Sequence, residues 1–376
     1  MCPIEQQILT CAAEMKPDVR HRQRMRQLIS YDVDAGHLIQ MAFREGMSGL
    51  LYKNLLESGL LEKLELDHIE TLKSQYYQTA GFNLKLIHDF KEVLYPLNQK
   101  KIRVVLLQGI DLLHETYEDI GIRPMMDVDL WVRTEDYPEL IAILISQGYE
   151  RDPLYPNTFR RGSTTFDLHT HILWADRIRA RKLLLNKSET HIYEEARVVY
   201  FEGQEALCLS PSDQVLYLSL HALKHYVNRL IWLVDIKCLV GDWKASDWQL
   251  LLNRAKDLGQ EKTLCYIFFL LLHLFDLQLP LEARQLLERN RLHFFEKKAL
   301  GARLKKGALP FWAPALLFSA GKGLRKRVSF TLESLFPRPE ILRQIFTSSP
   351  DLKAWQLYWK RAVQLLHMVK RSLKGY

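Results

Sequence analysis

Three aspartates and one glycine carry the chemistry that this sequence can offer. Asp127 and Asp129 stand one residue apart in the run DVDL, where alternation along an extended strand puts both carboxylates on one face, spaced to hold one or two magnesium ions. Asp167 sits in a second alternating run, TTFDLHTHI, with His169 and His171 on its own face. Upstream, LLQGID ends a strand at Gly109 and turns directly into a helix, so the amides beyond the glycine form a helix N-terminus that favours a phosphate. Three carboxylates from two strands beside a phosphate cradle are what two-metal phosphoryl or nucleotidyl transfer needs: metal ions bridge the triphosphate, and one carboxylate activates the attacking hydroxyl. Each feature alone is common, and an Asp-x-Asp pair can be a solvated strand face. Here Val128, Leu130, Trp131 and Val132 mark the strand as interior, where polar side chains need partners or metal.

The elements that must position these groups form an α+β chain, mainly helical. From Ile8 to about Leu94, apolar residues recur at spacings of three and four, which predicts helices. Near Lys100 the texture changes. KIRVVLLQG reads as a strand, IDLLHETYED as a helix closed by Gly121, DVDLWV as a strand, YPELIAILISQG as a helix closed by Gly148, and TTFDLHTHI as a third strand. ARVVYFEG with EALCLS adds a further short strand region. Ser210 then supplies an N-cap with Pro211 at the first helical position, and helices continue to the end. The expected division is a helical region over 1–98, a catalytic α/β unit with a small mixed sheet over 99–208, and a helical domain over 209–376.

The run LLQGIDLLHETYEDIGIRPMMDVDLWV followed by FDLHTHIL resembles the signature of the uncharacterised nucleotidyltransferases of the DNA polymerase β superfamily. The likeness extends to AFREGMSGLLYKNL before it, and to LHALKHYVNRLIWLVDI, DWQLLLNRAKDLG and SLFPRPEILRQIF after it. The resemblance implies a polymerase-β-like central unit, with Asp127 and Asp129 as the metal-binding pair and Asp167 as a third metal ligand and general base. It also implies Gly109 as the glycine of the phosphate turn and Arg123 as the arginine before the acidic strand. Two positions depart from the pattern. Ile110 replaces the serine or glycine of the wider superfamily, and Gln108 replaces the lysine common in the family, which removes a positive charge from the cradle.

Further candidates carry alternatives. Arg123, before Pro124, is either a phosphate-neutralising guanidinium at the mouth of the site or a surface arginine. His169 positions the base or a phosphate, or is a half-buried strand histidine. His221 and His225 share a helix face with Asp235 downstream, but a zinc site there lacks the glutamate of HExxH and further ligands. His225, Arg229 and Asp235 instead fall where the second helical region closes over the nucleotide, or form a packing face with Leu220, Leu223, Trp232 and Leu233. Aromatic residues such as Phe268, Phe269 and Trp355 fall at core spacing and read as packing residues.

Lysine plus arginine exceed aspartate plus glutamate by eight, which favours polyanionic partners. The excess concentrates between Arg291 and Arg327, where ten basic residues face one acidic residue, Glu296. This stretch is either a solvated helix face or a surface for RNA or another polyanion. Cys2, Cys11, Cys208, Cys238 and Cys265 are odd in number and form no CxxC pair, so neither a disulfide framework nor a zinc finger is supported, and a reducing cytoplasm fits. Glu5 and Glu14 interrupt any signal-like start. Leu264–Leu274 is well short of the roughly 20 residues of a membrane span and reads as a buried helix.

The expected activity is magnesium- or manganese-dependent transfer of an NMP from an NTP, ATP being the first choice, to an acceptor hydroxyl on a small molecule, a peptide or protein, or RNA. The expected nucleotide-binding residues are Gln108, Gly109, Ile110, Arg123, His169, His225 and Arg229. The competing expectation is a non-catalytic RNA- or partner-binding protein that retains the fold. Three costly clustered carboxylates argue against an idle site.

Overall fold

The computed structural model describes residues 4–30, 33–275, 277–320, 322–347 and 352–374. All of its strands fall between Val104 and Cys208: β1 (Val104–Leu107), β2 (Val128–Val132), β3 (Glu150–Arg151), β4 (Thr158–Arg161), β5 (Thr164–His169), β6 (Arg197–Phe201) and β7 (Gln204–Cys208). They form one seven-stranded sheet in the order β3-β4-β5-β2-β1-β7-β6. β2 runs parallel to β5 and β1 parallel to β7, while the remaining pairs are antiparallel, so the sheet is mixed. Helices surround it, and the fold is α+β and mainly helical.

β1 and β2 are buried at every position, as their unbroken apolar runs require of strands covered on both faces. The helix Leu66–Gln99 lies against the sheet, where Phe90 meets Phe166 and Phe201 at ring separations of 6.4 and 5.0 Å. Its Asn83 also shapes the loop that leads into β2: the side-chain amide donates to the carbonyls of Ile120 (2.7 Å) and Arg123 (2.9 Å), and its oxygen accepts the Met125 N–H. Gly49, in the helix Ser48–Glu57, admits the same loop, because a Cβ there would lie 2.2 Å from the Gly121 carbonyl oxygen.

The structure differs from the expectations at several places. The helix after β1 runs only from Gln108 to Glu115 and does not reach Gly121. The chain turns away because the Asp119 carboxylate collects the Gly121 N–H, the Tyr76 hydroxyl and the Lys53 ammonium. β3 and β4 were not anticipated; they are two and four residues long, too short for a visible alternation. Trp355 is 66% exposed and packs no core, whereas Phe268 is fully buried and Phe269 partly so.

Other readings match. The Ser210 hydroxyl accepts from the Asp213 N–H at the head of the helix Pro211–Lys224, and the apolar run of 264–274 lies in the largely buried helix Glu261–Phe275. Cys11, Cys208, Cys238 and Cys265 are free thiols; Cys2 lies outside the described residues. Among the described residues no helix is long and apolar enough to cross a membrane.

Candidate active site

The parallel register of β2 and β5 sets Asp129 directly opposite Asp167 and Trp131 opposite His169. Asp127 lies one residue before β2. The three carboxylates line a cavity of about 530 Å³ together with Gln108, Gly109, Arg123, His169, His221, Lys224, His225 and Arg229. Trp174, Arg177 and residues 155–158 complete one side, and Arg338 with Gln344 brings in a wall from far along the chain.

The acidic groups are held by neighbours. His169 Nε2 is 2.8 Å from Asp129 Oδ1, and the Thr158 hydroxyl donates to Asp167 Oδ1. Burial, then repulsion from Asp129 and Asp167, holds the Asp127 carboxyl well above the usual carboxylate range; burial and Asp129 raise Asp167 in the same way. Carboxylate oxygens lining one cavity are a hard donor set of the kind that suits magnesium or manganese. The three aspartates are spaced around the cavity. Among the described residues three ligand atoms come within 4.8 Å of one another only at Asp111, Glu115 and Cys208, a separate group where Glu115 is already paired bidentately with Arg197.

The same cavity is lined by nitrogen-bearing side chains that sequence reading only partly found. Lys224 Nζ rests 3.7 Å from the centre of the Trp174 ring. Burial and the nearby Arg181 guanidinium lower its pKa to about 7, with Asp129 pulling the other way. His225 is lowered to about 3 by burial and then by Lys224, so it lines the cavity as a neutral imidazole at physiological pH. His221 is likewise driven well below its ordinary value, and its ring lies 4.6 Å from that of His225. Burial and then Arg123 lower Arg229.

The turn after β1 is shaped by close approach. Gln108 has φ 54°, in the left-handed region, and its side-chain amide donates to the Tyr217 hydroxyl at 3.1 Å. A Cβ on Gly109 would lie 2.7 Å from both Arg123 Nη1 and Met125 Cγ, so the glycine lets these two side chains of the loop pack over the turn where a larger residue would push them aside. Trp174 also has a positive φ, 56°. Backbone strain at two residues lining one cavity is the kind that concentrates at functional sites.

Several expected site residues sit otherwise than the sequence pattern implied. Arg123 lines the cavity but is buried, and its guanidinium is committed to Asp235, with Nη2 2.9 Å from Oδ2 and Nε 3.3 Å from Oδ1. Asp235 also accepts from the Tyr117 hydroxyl, is fully buried and does not line the cavity. The Ile110 side chain is wholly buried and does not line it either. His171 lies beyond the end of β5, paired with Glu189 at 3.4 Å on another cleft. Of the basic segment 291–327, Arg303 is drawn inward to Glu45 and Lys322 donates to the Gly259 carbonyl.

Lys224, Trp174, Arg177, Thr158, Tyr217 and Arg338 were missed. Lys224 had a signal in its place between the two histidines of HALKH; Thr158 and Arg338 had none, since only folding brings them to the aspartates.

No curated protein matches the chain in sequence. Among solved structures, the antibiotic-resistance factor ANT(2'')-Ia is similar over 46% of this chain and 92% of its own, with 14% identity and a TM-score of 0.33. Residues 31–276 match the family described as uncharacterised nucleotidyltransferase. That match takes in the strands bearing all three aspartates and most of the cavity wall, and by it the chain belongs to the uncharacterised nucleotidyltransferase family.

Proposed function

We propose that the protein moves a nucleoside monophosphate from a triphosphate, ATP first among them, to an acceptor hydroxyl and releases pyrophosphate. The unit over 99–208 carries the chemistry, and the helical region over 209–376 completes the pocket. The observation that carries this reading is the cavity that Asp127, Asp129 and Asp167 line together with Gln108, Gly109 and Lys224. Asp127, Asp129 and Asp167 would hold a divalent cation, magnesium or manganese, which when bound supplies charge neutralisation for the triphosphate.

The chain's own groups do the rest. The Gln108–Gly109 turn and the helix behind it receive phosphate oxygens through backbone amides. Lys224 and Arg229 meet the triphosphate charge, and a bound polyanion favours the protonated amine of Lys224. His169 fixes the orientation of Asp129, and His225 offers a neutral donor. Asp167 is the general base: it stands opposite Asp129 in the register of β2 and β5, and Thr158 occupies one of its oxygens while the other takes the acceptor proton. The acceptor enters from the side walled by residues 155–157, Arg177 and Arg338.

The test is incubation of purified protein with each α-labelled NTP, magnesium and a cell extract, followed by separation of labelled small molecules, protein and RNA. Label transfer with pyrophosphate release, lost in Asp127→Ala and in Asp129→Ala, is the expected result. Absence of labelled product, of pyrophosphate and of metal-dependent NTP binding would overturn the reading.

A further inference from the structure

The helix Ala354–Lys374 has its packing face and a second apolar face on different sides. Inward, Leu357 is completely buried and the Arg361 guanidinium donates to the Leu335 carbonyl at 2.9 Å. Outward stand Trp355, Trp359 and Leu366, exposed by 66%, 69% and 61%, with Val369 beside them. At 100° per residue these four fall within one narrow sector of the helix, so they form a continuous stripe. The same helix exposes Lys360, whose ammonium lies 5.6 Å from the centre of the Phe346 ring, and Lys370, and no aspartate or glutamate occurs between Ala354 and Lys374.

We infer that this helix docks the protein onto an anionic lipid surface. An amphipathic helix with tryptophan and aliphatic side chains on one face, and lysine but no acid beside them, is built to lie in the plane of a membrane interface. Indole rings settle at headgroup depth, aliphatic groups reach the acyl boundary, and the basic side chains extend to lipid phosphates. Charge complementarity selects this occupant, because lysines flanking an apolar stripe on a helix without acids satisfy an anionic bilayer in both respects. Leu366 and Val369 offer nothing for a nucleobase to stack on, which sets RNA below lipid. The neighbouring helix Leu324–Leu335 also exposes Leu324, Val328 and Leu332, spaced four apart and accompanied by Arg325 and Arg327. Docking is peripheral and independent of the proposed transfer reaction.

The test is sedimentation of the full chain with vesicles of phosphatidylcholine alone and of an equal mixture of phosphatidylcholine and phosphatidylglycerol. Binding to the mixed vesicles only, weakened by salt, is expected. The double variant Trp355→Ala/Trp359→Ala, and separately Lys360→Glu/Lys370→Glu, should each weaken it by about tenfold or more. Both pairs lie on the surface, so an unchanged melting curve checks that each variant folds. The inference is overturned by no vesicle binding, by binding that ignores the tryptophan pair, by tryptophan-dependent binding to poly(U) RNA without vesicle binding, or by self-association that buries the tryptophans.

Discussion

At the scale of single residues, Lys224 joins a cost in stability to a gain in charge. Its pKa of about 7 in the folded chain lies below the ordinary 10.5, so between those values the unfolded chain holds a proton that the folded chain lacks. Stability therefore rises with pH across that window, and at pH 7 and below the protein bears the full penalty of enclosing the charge. Lys224→Met should raise the unfolding midpoint at pH 6.5 by an amount equal to about 1 kcal/mol or more, and this gain should shrink towards pH 10. The same substitution should weaken ATP binding about tenfold, since it removes a charge-assisted contact. Melting curves over pH and calorimetric ATP titrations check both signs. None of this was legible in the sequence, because a lysine's pKa depends on burial and on Arg181, which lies far away in the chain.

At the scale of elements, the site depends on the loop between the first helix of the sheet unit and β2. Gly109 lies under Arg123 and Met125 of that loop. Gly109→Ala should cost about 1–3 kcal/mol of stability by overpacking and should lower NTP affinity together with it, as read by urea unfolding and nucleotide titration. The loop is tied to the helix Ile231–Val240 through the buried Arg123–Asp235 pair. Asp235→Ala strands a buried guanidinium and should cost about 3–5 kcal/mol. Lys237→Met on the same helix, whose partner Glu14 is partly solvated, should cost far less. The sequence showed Arg123 and Asp235 each as possible ligands of a nucleotide; that they satisfy one another follows only from the packing of the helix on the loop. β1, β2 and β5 were plain from their apolar or alternating runs, whereas β3 and β4 owe their existence to the edge of β5 and have little pattern of their own.

At the scale of the whole molecule, the cavity is assembled from the sheet, from the helix Pro211–Lys224 and from the segment around Arg338. Arg338→Ala, which frees the Asp176 carbonyl on the proposed acceptor side, should raise the KM for acceptor several-fold and leave the KM for ATP within about twofold, once an acceptor is in hand. The thiols belong to this scale too. Cys208 and Cys265 are buried, and burial pushes Cys11 up to about 11 and Cys238 up to about 12. These four should therefore react slowly with a thiol reagent at pH 8 until the chain is unfolded, and the melting temperature should be the same with and without reductant.

The chain's one-dimensional order was enough to reveal the fold class, the acidic strands, the strand-to-helix turn at Gly109 and the family resemblance, because each is written in local alternation or short spacing. Folding alone chose the partners. It paired Arg123 with Asp235, placed Thr158 on Asp167, set Lys224 and Trp174 against the carboxylates, and turned Trp355 outward from the core that its helical spacing suggested. The reason is physical: periodicity states which residues share a face, but only long-range packing decides what that face meets, and with it the burial and the charges that set each group's chemistry.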